Sequence, residues 1–164
     1  VPARRCARAA SCWREKSTRS CDQLNGQARI LCVGCGHLRE ADLARSASAP
    51  TLDDRFHGRQ DLCHFDLIYS PSLYEVLDEQ DARDLTRNLF ANLLPGGRLL
   101  MGNFLPGVPN VAYLEGLLDW HRHYRNAAVL LDLLLGIPYN DIGSARVFHD
   151  PGHCVASLEV TRYG

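Results

Sequence analysis

The sequence predicts an α/β domain built on a mostly parallel sheet, and three observations carry that prediction. An apolar run over residues 30–33 leads into Gly34-Cys35-Gly36, which reads as a buried strand entering a tight turn. Strand-like runs near 29–34, 65–70 and 98–104 are separated by stretches that suit helices, the order that yields parallel strands joined by crossovers. Two closing runs, near 145–149 and 154–162, flank Asp150-Pro151-Gly152-His153 and read as an antiparallel hairpin.

Each element has a local reason. Residues 1–27 hold six basic residues against Glu15 and Asp22 and show no clear apolar period. An irregular N-terminal arm is expected there, with the domain proper at 28–164. The glycines of the first turn allow close backbone approach to a ligand, and 38–47 suits a helix. Strand, glycine turn and helix together make a site for a nucleotide-type cofactor. Residues 48–64 are mostly polar, with Pro50 and Gly58. Phe65-Asp66-Leu67-Ile68-Tyr69-Ser70 reads as a short strand stopped by Pro71. Over 79–94, Ala82, Leu85, Leu89 and Leu93 recur at helical spacing, and Pro95-Gly96-Gly97 is expected to end that helix. Residues 112–135 read as largely helical, with a break near Arg125-Asn126.

Composition narrows the function. The chain has 164 residues, 46% of them apolar, and a net charge of −1. One globular domain is expected. The charge gives no general electrostatic case for a nucleic-acid partner, and no apolar run is long enough for a membrane span. The N-terminus lacks the order of a secretory signal, and it begins without Met, as a fragment or processed product does. Seven cysteines fall short of a disulfide scaffold, so a reducing cytoplasm is expected. Cys32-x-x-Cys35 with Cys63 and His64 offers zinc-type donors. No second paired motif completes the pattern, so buried or turn thiols are expected instead, with no metal.

These blocks together resemble the class I S-adenosylmethionine-dependent methyltransferases. Residues 30–40 are similar to the first cofactor motif, 65–70 to the fourth strand, and Leu93-Leu-Pro-Gly-Gly-Arg-Leu-Leu-Met-Gly-Asn-Phe104 to the fifth-strand motif. The hairpin is similar to strands six and seven. A narrower likeness lies in Tyr69-Ser-Pro-Ser-Leu-Tyr-Glu-Val-Leu77, Gly102-Asn-Phe104 and Asp119-Trp-His-Arg-His-Tyr-Arg125. It resembles a bacterial subgroup linked to making 3-hydroxy fatty acid methyl esters. The resemblance implies a Rossmann-like, mostly parallel sheet with a C-terminal antiparallel hairpin, in spatial order first, second, third, fifth, fourth. Only 28 residues separate Gly36 from Phe65, whereas one βαβ unit needs about 30 or more. A truncated class I methyltransferase fold, lacking the second and third strands, is therefore expected. Cys32 stands where the family has a leading acid, and Leu38 at its third glycine.

The resemblance implies S-adenosylmethionine as cofactor, held by Gly34, Cys35, Gly36, Glu40, Tyr69 and Ser70. It implies a small-molecule acceptor, with a fatty acid carboxylate as the subgroup's choice. A carboxylate has a pKa of roughly 4 and needs no general base; it must be gripped and aligned. Arg125 is the expected anchor through its planar fork. His121 and Tyr124 are supporting donors, with His121 four residues from Arg125 on one helix face. Trp120 offers an aromatic face, and Asn103 ends the neighbouring strand. Each has a plainer reading: Trp120 as a core aromatic, Arg122, His123 and Arg125 as a solvated helix face, Asn103 as a turn cap, Glu40 as exposed. A chain that no longer catalyses, serving as an interaction module, is the alternative function.

Overall fold

The computed structural model describes residues 28–34, 64–107, 115–116 and 121–164. The strands are β1 (Ile30–Cys32), β2 (Phe65–Ser70), β3 (Leu93–Phe104), β4 (Ile142–His149) and β5 (Val155–Arg162); the helices are α1 (Glu79–Ala91) and α2 (Ala127–Asp132). They form one five-stranded sheet in the order β1-β2-β3-β5-β4. β1, β2 and β3 are parallel, and β5 runs antiparallel between β3 and β4. This is the mixed α/β architecture and strand order expected from the sequence. Residues 1–27 and 35–63 lie outside the described residues, and with them the N-terminal arm and the expected loss of two strands.

Alternation along the strands builds two apolar faces. Leu31, Val33, Ile68, Leu99, Met101, Leu158 and Val160 share a buried cluster with Leu89 and Phe90 of α1 and with Leu130 and Leu133. Ile30, Cys32, Leu67, Tyr69 and Leu100 form a second cluster. Successive residues of one strand point to opposite faces, so the continuous apolar runs follow from burial on both sides.

Local chemistry sets the helix ends. Asp78 caps α1, its carboxylate accepting from the Asp81 N–H at 2.8 Å. Asn126 caps α2 in the same way, accepting from the Val129 N–H at 3.0 Å. α1 ends at Ala91, before Pro95-Gly96-Gly97. Those residues fall instead within β3, where the register with β2 shifts between Phe65 and Leu67. Gly96 has φ +76, and a Cβ on Gly97 would lie 2.8 Å from the Phe65 carbonyl oxygen. The glycines therefore let β3 begin early, against β2, with an irregularity. The stretch expected to be helical is also shorter than the periodicity suggests: Glu115 and Gly116 are helical, but 121–126 is not.

The β4–β5 turn is held by Asp150, which is buried. Its Oδ1 accepts from the N–H groups of Cys154 and Val155, both at 2.7 Å, and its Oδ2 from Gly152 at 3.0 Å. Removing the carboxylate leaves these donors without their acceptor while His153 still holds φ 48. We expect Asp150→Ala to lower stability by about 1.5–3 kcal/mol, the worth of hydrogen bonds to a charged group. Urea unfolding measures it; an unchanged midpoint would mean the hairpin is held by its strands alone.

Candidate active site

The C-terminal ends of β1, β2 and β3 lie side by side, where open α/β sheets bind ligands. Tyr69 and Ser70 end β2, and both are buried. The Tyr69 carbonyl accepts from the Val33 N–H at 2.9 Å, tying β2 to the start of the glycine turn. Ser70 is 0% exposed, and its hydroxyl has no hydrogen-bond partner among the described residues. Buried hydroxyls are nearly always satisfied, so an orphan at a strand end marks a place where another group belongs.

Gly34 adopts φ +69, and a Cβ there would sit 2.8 Å from the Cβ of Leu73. Ser72 donates its hydroxyl to the Gly34 carbonyl at 3.2 Å. The first glycine is thus required by the chain's own loop after β2, which packs against it. Cys35, Gly36 and Glu40, the other expected cofactor contacts in this turn, lie outside the described residues. Cys32 is disulfide-bonded; a sulfur in that state is not a thiolate donor for zinc, and the pairing departs from the expected reduced thiols.

The residues expected to meet the acceptor lie beside the loop at 72–79, in the segment 121–126. Tyr74–Val76 form a 3-10 turn. The Tyr74 hydroxyl lies 3.0 Å from Thr86 Oγ1, which itself donates to the Ala82 carbonyl, so Tyr74 is the donor. Burial pushes the Tyr74 phenol far above its ordinary pKa. The 121–126 segment crosses this turn as an irregular strap. Its His123 N–H donates to the Glu75 carbonyl at 2.7 Å, and its Arg125 N–H to the Phe104 carbonyl at 3.1 Å. Asn103 Nδ2 donates to the His123 carbonyl at 2.7 Å.

Arg125 is wholly buried. Its Nη1 donates to the Tyr74 carbonyl and, at 3.0 Å, to Asn103 Oδ1. Its Nη2 donates to the Leu77 carbonyl at 2.8 Å, and its Nε to Glu79 Oε1 at 3.0 Å. Four of the five N–H donors of a guanidinium are therefore engaged within the chain. The two-pronged carboxylate anchor expected at Arg125 is not formed: the fork fastens protein to protein. Asn103 is likewise engaged on both sides of its amide. His121 and Arg125 do not share a helix face, because the backbone there bonds sideways to the loop after β2 and to the end of β3. His121 is exposed and Tyr124 half-buried; desolvation and then the nearby Glu115 carboxylate raise the Tyr124 phenol pKa. Trp120 lies outside the described residues.

A buried carboxylate in this turn escaped the sequence reading, as did Glu159 within β5. Glu75 is 5% exposed, and its Oε1 pairs with Arg122. Arg122 also stacks over Phe104, 5.0 Å from the ring centroid. Burial raises the Glu75 pKa, against the opposing pull of Arg122. The signal available was its setting: one acid between Leu73-Tyr74 and Val76-Leu77.

No family model and no curated protein matches the chain. Solved structures do. A possible exported protein from Bordetella parapertussis is similar with a TM-score of 0.65 and 15% identity, over 94% of this chain and 67% of that one. The S-adenosylmethionine-dependent methyltransferase SibL gives 0.62 and 15%, over 93% and 56%. Human N-acetylserotonin methyltransferase, solved with S-adenosylmethionine, gives 0.60 and 14%, over 85% and 49%. The chain thus spans about half the length of the latter two. These likenesses show the fold: a mixed α/β, Rossmann-like sheet shared with solved methyltransferases.

Arg125 gives the site its stability test. Arg125→Met strands the Tyr74 and Leu77 carbonyls and Asn103 Oδ1, while the half-exposed Glu79 carboxylate turns to water. We expect a loss of about 3–5 kcal/mol, at about 1–3 kcal/mol for each buried acceptor left unsatisfied. Chemical denaturation checks it; a loss below about 1 kcal/mol would show that water replaces the fork, since that is the range of an exposed pair.

Proposed function

We propose that this chain is an S-adenosylmethionine-dependent methyltransferase acting on a small-molecule acceptor. The observation that carries the reading is the Ser70 hydroxyl, buried and unpartnered at the carboxyl end of the parallel strands. The methyltransferase fold supports it. When bound, the cofactor supplies a methyl group on a sulfonium, open to in-line displacement. Ser70 would hold it from β2, with the glycine turn after β1 alongside; Cys35, Gly36, Glu40 and Tyr69 stay candidate contacts on the strength of the resemblance.

The chain's own part in the chemistry is orientation. The strap at 121–126 and the 3-10 turn are fixed to each other and to the end of β3, so the acceptor meets a set wall. A 3-hydroxy fatty acid carboxylate is the acceptor to which the subgroup likeness points. Its anchor would have to be a group other than Arg125. His121, Tyr124 and Trp120 remain candidates for acceptor contact, while Asn103 and Arg125 are placed to position the wall. No helix among the described residues is long and apolar enough to cross a membrane.

Calorimetric titration with S-adenosylhomocysteine tests this directly. The parent chain is expected to bind, and Ser70→Ala to weaken binding about tenfold, the worth of one hydrogen bond of about 1–1.5 kcal/mol. A parent chain that releases no heat would leave the non-catalytic interaction module as the better reading. Equal affinity in the two chains would remove Ser70 from the cofactor site.

A further inference from the structure

We propose that two copies of this chain pair through β4, edge to edge, into one continuous sheet with a two-fold axis at Val147. β4 is the last strand in the order β1-β2-β3-β5-β4, and among the described residues nothing pairs with its outer side. It is 8 residues long, and Gly143, Ser144, Ala145 and Arg146 are all exposed. Long edge strands are ordinarily blunted by lysine, proline or a bulge. β4 holds neither Lys nor Pro, and its irregularity falls at one end, between Ile142 and Ser144. Its one arginine is folded back: Arg146 pairs with Glu159 at 3.1 Å and stacks over Phe148 at 5.9 Å. The stretch from Ser144 to His149 is therefore a regular, open edge.

Two hydrogen bonds fix which backbone groups face outward. The Asp150 N–H donates to the Val155 carbonyl at 3.0 Å, and on the far side of β5 the Leu105 N–H donates to the Cys154 carbonyl at 2.9 Å. Bonded positions alternate along an antiparallel ladder. Ser144, Arg146 and Phe148 therefore direct their N–H and C=O groups to β5, while Ala145, Val147 and His149 direct theirs out of the sheet. No partner among the described residues meets those outward groups.

The edge is complementary to itself in one register, which argues for a second copy over a foreign strand. Centred on Arg146, the pairing sets two guanidiniums opposite each other across the closest kind of pair, which is destabilising. Centred on Ala145, it runs into the irregularity beside Gly143. Centred on Phe148, it sets Ala145 against Pro151 of the second copy, which has no N–H to give. Centred on Val147, all three outward residues are used. Val147 exchanges both its bonds with its own copy, and Ala145 exchanges with His149 of the second chain. Arg146 then meets Phe148 of the second chain, so cations and rings alternate across the axis. Each Arg146 keeps its own Glu159, and no like charges stand opposite. An apolar flank adds area to this narrow pairing. α2 packs against β4 and β5, and Leu131 and, in the turn after it, Leu135 are 43% and 58% exposed. A two-fold axis normal to the sheet carries both copies of α2 on the same face, where these leucines find their like.

The test uses the full chain with its free thiols blocked, so that no intermolecular disulfide contributes. Sedimentation velocity over a roughly hundredfold range of concentration reads association. A monomer–dimer equilibrium is expected; a monomer throughout overturns the proposal, and leaves the edge to a strand of another protein. Residue-resolved amide exchange reads the register. Ser144, Arg146 and Phe148 are expected to be protected at every concentration, and Ala145, Val147 and His149 to gain protection as the dimer forms. A dimer in which those three amides stay fast overturns the proposal. Ala145→Pro removes an outward N–H and keeps the ladder to β5. The expected result is a folded monomer where the parent is dimeric; a folded variant that dimerises like the parent overturns the proposal. If proline disrupts the strand, Ala145→Lys takes its place at an exposed position. It puts a charge where the joined sheet would cover it, twice per dimer, and is expected to weaken association about tenfold. Unchanged association overturns the proposal.

Discussion

A guanidinium with no exposure to water is the constraint on which the carboxyl end of this sheet depends. Taking such a group out of solvent costs several kcal/mol unless its donors find acceptors. Arg125 finds four: the carbonyls of Tyr74 and Leu77, the amide oxygen of Asn103 and the carboxylate of Glu79. They come from the loop after β2, the end of β3 and the first residue of α1. Because one planar fork needs them together, the loop, the strand end and the helix start are positioned as a set. The 3-10 turn is drawn to the strand edge, and Glu75 is carried there with it.

The same demand explains why 121–126 is not helical. A helix would use the backbone N–H groups of His123 and Arg125 on carbonyls four residues back. Here they donate to Glu75 and Phe104, and the His123 carbonyl accepts from Asn103. Tertiary hydrogen bonds outcompete a helical tendency that spacing alone records. Helix resumes where Asn126 supplies a cap.

What the sequence made legible follows from this division. Period and apolar runs report on burial, so the five strands were readable, as were Ala82 and Leu89 of α1, while the strand order came with the resemblance; Thr86 and Phe90, buried on α1 as well, were not read, and Leu93 begins β3 rather than ending the helix. Strand ends are also readable, which is why Ser70 could be named. The early start of β3 was not, because Pro95-Gly96-Gly97 has the same composition in a turn and in an irregular strand. The role of Arg125 was not readable either. Residue type gives a charge and a fork, but which acceptors fill it depends on residues 22 to 51 positions away. Glu75 hid for a related reason: an acid next to apolar residues reads as a solvated position until the fold closes over it.

Gly34 shows how one residue can satisfy a motif and a packing need together. A glycine at the first turn suggests space left for a ligand. The neighbour its missing Cβ would strike is Leu73, and the loop that contacts it continues into the turn bearing Glu75. Gly34 after β1 and the loop after β2 are therefore in direct contact, with the Ser72–Gly34 hydrogen bond across the seam. A change at either would be felt at the other through close packing rather than through charge. That coupling gives the short loop between Ser70 and Asp78 its importance: it carries the orphan hydroxyl at one end, the cap of α1 at the other, and a buried carboxylate between them.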